Sequence, residues 1–283
     1  MTEKTAPTLE DDLELLRSAA VAAGIIAAGF FRHAVKTWEK ENASPVTEAD
    51  IMVDRQLRAL LLGARPTYGW LSEESVDDLS RLSARRCFIV DPIDGTRGFI
   101  RGEDSWTVSL AVVEDGVPLA GVVYAPARDE LFEAALGGGA RLNSRPLVRR
   151  RGENMPLTIP GPGAVHGELQ AAGLDYVRGP HLPSLAYRLV QVAVGSLDAV
   201  PVRRGSSDWD IAGAAAILGE CGIHFEDVCT GPVRFNGPDT RHGALAAVAD
   251  DSLKPVLQAA LIRVYGCPPS DAMSKPDLES RTT

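Results

Sequence analysis

The spacing of apolar residues predicts two helices in the first quarter of the chain. From residue 9, apolar side chains recur every three or four positions, as they do on one face of a helix, at Leu9, Leu13, Leu16, Ala20, Ala23, Ala27 and Phe30. The polar residues 36–44 interrupt this pattern. A second helix is expected to begin after Thr47, a good helix cap, and to end near Leu62. Residues 1–8 are expected to form a disordered tail.

Short apolar runs bounded by turn residues predict strands in the middle of the chain. Residues 69–72 and the run that ends at Asp91 are expected to be strands, and Pro92 is expected to stop the second one because it lacks an N–H donor. Residues 106–113 and 117–124 flank an Asp-Gly pair, which is typical of a hairpin. Residues 131–136 form another predicted strand, with a shorter one near residue 140. The three glycines 137–139 resemble a phosphate-binding loop, but no helix follows them, so a turn is expected.

Strands and helices alternate again in the second half of the chain. The predicted strands are residues 157–160 and 197–202, and the predicted helices are residues 183–195 and 207–221. The basic run 149–152 changes the composition abruptly and is the expected lobe boundary. We therefore predict an α/β protein with an α+β N-terminal lobe, residues 9–150, and an α/β C-terminal lobe, residues 151–265. Residues 266–283 are expected to be a disordered tail.

Composition narrows the classes of function. The net charge of −9 disfavours binding to a nucleic acid polymer or to an anionic membrane surface, because both need basic residues. The apolar segment 19–31 is shorter than the ~20 residues that cross a bilayer, so it is expected to be a buried helix. The four cysteines show no Cys-x-x-Cys spacing, so we expect neither a zinc site nor a disulfide framework. A cytoplasmic location is the simplest expectation.

The sequence Asp-Pro-Ile-Asp-Gly-Thr, residues 91–96, contains the first candidate chemistry. It follows a predicted buried strand, so Asp91 and Asp94 are expected to lie close together where that strand ends. Two neighbouring carboxylates repel each other unless a cation lies between them, and oxygen ligands without histidine or thiol favour Mg²⁺. The alternative is that these two residues only cap a turn.

Three further acidic positions favour the metal site over the turn cap. Glu73 follows a short predicted strand, and Asp210 opens a predicted helix. Asp50 lies in the first turn of the second helix, where a capping box would also explain it. Because α/β proteins place the ends of strands and the starts of helices around one cleft, we expect these side chains to converge with Asp91 and Asp94.

These motifs in this order resemble the inositol monophosphatase and fructose-1,6-bisphosphatase superfamily. The similarity includes residues 45–50, Glu73-Glu74, the hexapeptide 91–96 and Trp209-Asp210 before a helix of small residues, and it extends over residues 9–262. The resemblance implies a layered αβαβα sandwich of the sugar phosphatase type. It also implies lithium sensitivity, a small phosphorylated substrate and a homodimer.

The resemblance further assigns metal ligands. Glu73, Asp91 and the backbone carbonyl of Ile93 would hold one Mg²⁺. Asp91, Asp94 and Asp210 would hold a second, and a weaker third ion would lie near Glu73. Two such ions can hold the attacking and the leaving oxygen together in phosphoryl transfer.

The resemblance assigns the remaining roles as follows. Thr96, paired with Asp50, would help to deprotonate the water that attacks phosphorus, and Glu73 would contribute to catalysis. The amides of Gly95 and Thr96 would face a phosphate oxygen. Lys40 resembles a lysine near the phosphate in relatives, with a solvated side chain as the alternative.

The choice of substrate depends on fewer residues. The sequence 96–100, Thr-Arg-Gly-Phe-Ile, is more similar to 3'(2'),5'-bisphosphate nucleotidases than to typical inositol monophosphatases, although Gly98 replaces an acidic residue of that pattern. Arg188 corresponds to a nucleotidase lysine and could hold a second phosphate, or else form a structural salt bridge. The first hypothesis is hydrolysis of 3'-phosphoadenosine 5'-phosphate. The alternatives are an inositol, sugar or histidinol phosphatase and a non-catalytic regulatory protein.

Overall fold

A computed structural model describes residues 7–40, 44–152 and 155–268 of the chain. The α-helices of these residues are α1 Leu9–Phe30, α2 Glu48–Ala64, α3 Thr96–Ile100, α4 Gly163–Ala171, α5 Leu185–Val194, α6 Asp208–Glu220 and α7 Lys254–Tyr265. The strands are β1 Thr37–Glu39, β2 Pro45–Thr47, β3 Gly69–Ser72, β4 Arg86–Asp94, β5 Thr107–Glu114, β6 Val117–Ala125, β7 Glu130–Ala135, β8 Ala140–Leu142, β9 Arg145–Pro146, β10 Thr158–Ile159, β11 Val177–Arg178, β12 Ala199–Val202, β13 His224–Asp227, β14 Gly231–Pro232 and β15 Leu245–Val248.

A seven-stranded sheet forms the first half of the molecule. Its strands follow the chain order from β3 to β9, and every neighbouring pair is antiparallel except β3 and β4. The predicted hairpin joins β5 to β6, and both Asp115 and Gly116 have positive φ, as a tight hairpin turn requires. Strands that are neighbours in the sequence are therefore also neighbours in this sheet. This explains why local sequence patterns predicted most of its strands.

The second sheet has four strands in the order β12-β15-β13-β14, all of them in antiparallel pairs. Helices α1 and α2 cover one face of the large sheet, and α5 and α6 lie between the two sheets. Helices α4 and α7 pack together on the outer face of the small sheet. The molecule is therefore an αβαβα sandwich, which confirms the expected α/β fold.

Helix α1 is the one described helix with the length and hydropathy of a membrane span. One face of this helix is nonetheless buried against α2 and the large sheet, whereas Val21 and Ile25 are exposed. Thr8 caps the helix through a capping box with Asp11. The segment 19–31 therefore belongs to a core helix, as predicted.

Most predicted elements are present, with some corrections. Helices α1, α2, α5 and α6 begin and end within two residues of their predicted bounds. The prediction that β4 stops at Asp91 is wrong, because the strand continues through Pro92 to Asp94. Its pairing with β5 shifts register between Asp91 and Asp94, and such a bulge tolerates a proline that cannot donate to the ladder. Helices α3, α4 and α7 and the β1–β2 hairpin were not predicted.

The cysteine prediction is also wrong. Cys229 and Cys267 form a disulfide bond that ties the end of α7 to the β13–β14 hairpin. The two residues are 38 positions apart, so spacing rules for short motifs do not detect the pair. The predicted tails lie outside the described residues except for residues 7, 8 and 266–268. The division into lobes at residue 150 stays a prediction, although the largest core cluster contains residues from both sides of it.

Helix α6 lies unusually close to the large sheet because glycines face each other. A Cβ on Gly213 would lie 2.8 Å from Ser109 Oγ and 3.0 Å from the carbonyl oxygens of Leu110 and Val122. Across the interface, a Cβ on Gly121 would lie 2.4 Å from the Gly213 carbonyl oxygen. This contact fixes the height of α6 above β5 and β6.

We predict that Gly213→Ala destabilises the protein by about 1–3 kcal/mol, because the helix must move away from the sheet. Gly219→Ala on the same helix is the matched control, since its Cβ would meet nothing within 4 Å. That control should be neutral or stabilising by up to about 1 kcal/mol. Urea unfolding of both variants measures the difference, and equal effects of the two substitutions would contradict the prediction.

Candidate active site

The bulge in β4 brings the two carboxylates of the hexapeptide to the same place. Asp91 is the last residue of β4 before the bulge, where it pairs with Ser109, and Asp94 pairs with Thr107 after it. Both side chains are almost fully buried. Asp91 Oδ1 accepts a hydrogen bond from the amide of Ile93 at 3.1 Å, so the bulge itself orients this carboxylate.

Asp94 caps the N-terminus of helix α5. Its Oδ2 accepts hydrogen bonds from Ser184 Oγ at 2.5 Å and from the amide of Ala186 at 2.7 Å. Burial raises the pKa of Asp94 to about 6, while these hydrogen bonds act in the opposite direction. The amides and the macrodipole of α5 therefore help to keep a negative charge on a carboxylate that burial would neutralise.

Asp210 is held at the start of helix α6 by a capping box with Ser207. The amide of Ser207 donates to Asp210 Oδ2 at 2.7 Å, as the third residue of a capping box requires. Burial and the charge of Asp94 raise the pKa of Asp210 to about 8. One oxygen of Asp210 is thus engaged with the helix, and the carboxylate stays close to Asp94.

Asp91, Asp94 and Asp210 converge, as predicted. Each offers an oxygen within 4.8 Å of the others. Burial, together with the charges of Glu73 and Asp94, raises the pKa of Asp91 well above its ordinary value. Asp91 Oδ2 is buried and has no hydrogen-bond partner within the described part of the chain. Three carboxylates with one unsatisfied buried oxygen fit a hard divalent cation, because a cation would both satisfy that oxygen and offset the repulsion.

Glu73 lies beside this cluster but is held by Lys40. Lys40 Nζ contacts Glu73 Oε1 at 2.9 Å and Glu74 Oε1 at 2.7 Å. The side chain of Lys40 is therefore ion-paired and not simply solvated. The amide of Glu73 donates to the carbonyl oxygen of Val90 at 3.2 Å, so Glu73 lies beside the end of β4 that carries Asp91, and its charge contributes to the raised pKa of Asp91. Its role as a metal ligand stays a prediction, as does that of the Ile93 carbonyl.

Asp50 and Thr96 are paired, as the resemblance implied. Thr96 Oγ1 lies 3.2 Å from Asp50 Oδ1 and 3.0 Å from the carbonyl oxygen of Ile93. Asp50 also forms a capping box with Thr47 at the start of α2. Its carboxylate therefore both caps the helix and pairs with Thr96. Burial raises the pKa of Asp50 to about 6, a value suited to proton transfer near neutral pH.

Gly95 is the residue at which the chain turns from β4 into helix α3. Its φ of 91° is left-handed, and a Cβ there would lie 2.9 Å from the amide nitrogen of Ser184. No side chain caps the N-terminus of α3. The amides of Gly95 and Thr96 thus begin a helix whose end adjoins the acidic cluster, and their contact with phosphate stays a prediction.

Two arginines border the cluster, and sequence reasoning identified only one of them. Arg188 lies close enough to Asp94 and Asp210 for their charges to affect its pKa, which burial lowers and which Arg203 lowers further. Arg203 is exposed and also lies near Asp210. Neither guanidinium forms an ion pair with a carboxylate of the described residues. Arg203 precedes Asp210 by seven positions in a loop, and no sequence motif distinguishes it from its neighbour Arg204.

Comparison with known proteins gives consistent results. The model of the inositol monophosphatase family matches residues 9–264. An inositol-1-monophosphatase of Rhizobium meliloti is 33% identical over 192 residues, which cover 65% of this chain and 72% of that protein. The 3'(2'),5'-bisphosphate nucleotidase CysQ of Shigella flexneri is 30% identical over 196 residues, which cover 66% and 78%. The structure of inositol monophosphatase from Anabaena superposes with a TM-score of 0.73 at 26% identity, over 93% of this chain and 99% of that one.

We predict that Mg²⁺ stabilises the protein more at pH 8 than at pH 5.5. The folded pKa values of Asp94 and Asp210, about 6 and about 8, exceed the unfolded value of about 4. The folded state therefore binds more protons than the unfolded state, and without metal the free energy of unfolding falls as pH rises through this range. A cation bound at 100 times its Kd would add about 2.7 kcal/mol.

Thermal unfolding in EDTA and in Mg²⁺ at both pH values tests this expectation. In Asp210→Asn, which keeps the shape of the cap without its charge, the pH dependence should become smaller but should not vanish, because the pKa values of Asp91 and Asp94 are also raised. An equal gain from Mg²⁺ at the two pH values would contradict the prediction.

Proposed function

Because this chain belongs to the inositol monophosphatase family, whose members are metal-dependent phosphomonoesterases, we propose that it hydrolyses 3'-phosphoadenosine 5'-phosphate to AMP and phosphate. The proposed cofactor is Mg²⁺, with two ions and a weaker third. The family uses divalent metals, and the cluster of Asp91, Asp94 and Asp210 is consistent with that chemistry.

The pair Arg188 and Arg203 is the observation that supports a substrate with two phosphates. Two guanidinium groups near each other repel, and burial of Arg188 adds to the cost. A second phosphate outside the metal cluster would offset both effects, and arginine is well suited to bind phosphate through paired hydrogen bonds. The uncharged ring of an inositol monophosphate offers no such partner.

The chain's own residues suggest how the reaction proceeds. When bound, divalent ions lower the pKa of water and neutralise charge on the phosphoryl group. The hydroxyl of Thr96 can pass a proton from the attacking water to Asp50, whose pKa of about 6 suits a base. The amides at the start of α3 would face a phosphate oxygen, and Arg188 would orient the rest of the substrate.

The sequence 96–100 gives weaker support for the nucleotidase hypothesis than we expected. Phe99 is buried in an aromatic cluster with Phe31 and Trp106, so its similarity to nucleotidases reflects packing. A Cβ on Gly98 would lie 2.3 Å from Pro183 Cγ. Close packing against Pro183 therefore explains why glycine replaces the acidic residue of the nucleotidase pattern at this position. Hydrolysis of an inositol phosphate is the second candidate, because inositol-1-monophosphatases are among the similar proteins.

Three further proposals follow from the resemblance. We propose that lithium inhibits the enzyme and that it forms a homodimer. We also propose a cytoplasmic location, although the disulfide between Cys229 and Cys267 removes one of the arguments for it, since such bonds are rare in reducing compartments. The non-catalytic alternative is less well supported, because Asp91, Asp94 and Asp210 are all retained and their oxygens lie close together.

We predict that kcat/KM is higher for 3'-phosphoadenosine 5'-phosphate than for inositol 1-phosphate, and that Arg203→Ala lowers this ratio by about tenfold, as expected for loss of a charge-assisted hydrogen bond. Arg204→Ala, which alters the adjacent exposed arginine, is the matched control and should leave the ratio unchanged. A higher kcat/KM for inositol 1-phosphate in the wild-type enzyme would reject the nucleotidase proposal and favour the second candidate.

We also predict that Asp91→Asn lowers kcat by at least about 100-fold, because the proposed cation loses one of the carboxylates that would hold it. The same variant should be more stable than the wild type in EDTA, since the repulsion within the cluster is reduced. Steady-state kinetics and thermal unfolding measure the two effects. Normal turnover in this variant would show that the cluster is not the metal site.

A further inference from the structure

A polar network joins the two segments that carry the most distant acidic residues of the site. Glu73 lies in the loop after β3, and Asp210 lies in the first turn of α6, far away in sequence. The loop after β3 is held at its start by Asp54 of α2, which accepts hydrogen bonds from Ser72 and Ser75. Its far end is held by a different residue, Arg81.

Arg81 is a buried arginine that connects this loop to a second one. Its exposure is only 1%, and it forms an ion pair with Asp77 at 2.8 Å within its own loop. Its remaining donors reach across the molecule to Asn236 Oδ1 at 2.7 Å and to the carbonyl oxygen of Gly237 at 2.9 Å. A buried arginine that donates to both loops in this way holds them at a defined separation.

Asn236 continues the network to α6. Its φ of 58° is left-handed, a conformation that asparagine tolerates well. In this conformation its amide donates to Asp208 Oδ2 at 2.7 Å while its side chain accepts from Arg81. The other oxygen of Asp208 lies 2.7 Å from His242 Nε2. Asp208 is the first residue of α6, two positions before Asp210.

We propose that Arg81 and Asn236 are positioning residues that set the distance between the Glu73 loop and the Asp210 carboxylate, and thereby the affinity of the site for its divalent cation. Neither residue touches the acidic cluster. Residues that orient metal ligands from outside typically change metal affinity by about 10- to 100-fold when they are altered. The inference rests on the proposed metal dependence, which assigns a cation to these carboxylates.

The substitution Asn236→Gly tests this inference with little other disturbance. Glycine keeps the left-handed conformation and the amide that bonds to Asp208, so the side-chain link to Arg81 is lost while the Gly237 carbonyl oxygen still accepts from Arg81. Asn143→Gly is the matched control. Asn143 is also left-handed, with a φ of 49°, and lies in the loop between β8 and β9. Its side chain bonds to the backbone of Leu131 and Asp129 and not to an arginine.

The measurement is calorimetric titration of the metal-free proteins with Mg²⁺ in the absence of substrate, together with thermal unfolding in EDTA. We expect Asn236→Gly to weaken Mg²⁺ binding by about 10-fold and Asn143→Gly to change it by less than about twofold, with similar losses of thermal stability. An unchanged affinity in Asn236→Gly would overturn the inference. Equal weakening in both variants would also overturn it, because the effect would then follow general stability.

A wild-type protein that binds no Mg²⁺ would instead overturn the proposed metal dependence, and this inference with it. The two failures are therefore distinguishable in one experiment.

Discussion

Repulsion between buried carboxylates is the constraint on which this structure depends. Asp91, Asp94 and Asp210 offer oxygens within 4.8 Å of one another, and Asp91 and Asp94 are almost fully buried while Asp210 is half-buried. Left to themselves, such groups bind protons, as their raised pKa values indicate. A cluster of this kind forms only if the rest of the fold holds the three side chains in place, and a cation is the partner that makes the charged form favourable.

The fold meets this constraint with helix N-termini. Asp94 caps α5 and Asp210 belongs to the capping box of α6, so the positive ends of two macrodipoles point towards the cluster. Both helices lie between the two sheets, and glycine contacts press α6 directly onto the larger sheet. The layer that forms the centre of the hydrophobic core is therefore also the layer that orients the ligands, which ties the stability of the core to the geometry of the site.

The basic side chains near the cluster differ in whether a carboxylate pairs with them. Lys40 pairs with Glu73 and Glu74 on the side of the N-terminal hairpin, and its charge is neutralised there. Arg188 lies near Asp94 and Asp210, Arg203 lies near Asp210, and neither has such a carboxylate partner among the described residues. An anionic ligand near Asp94 and Asp210 would meet positive charge that no carboxylate of the described residues pairs with, which is a physical basis for choosing among phosphorylated compounds.

The sequence by itself determined the helices with clear periodicity, the β5–β6 hairpin, the family and the convergence of Asp91, Asp94 and Asp210, because each rests on local patterns or on motifs of fixed spacing. It did not determine the bulge at Pro92, the disulfide of Cys229 with Cys267, or the nearness of Arg203 to the site. These features depend on pairing between residues far apart in the chain, and nothing in a residue's own neighbourhood records which distant segment will pack against it. Tertiary structure alone placed Arg81 and Asn236 between the loop of Glu73 and helix α6, since the hydrogen bond that joins these two residues spans 155 positions of sequence.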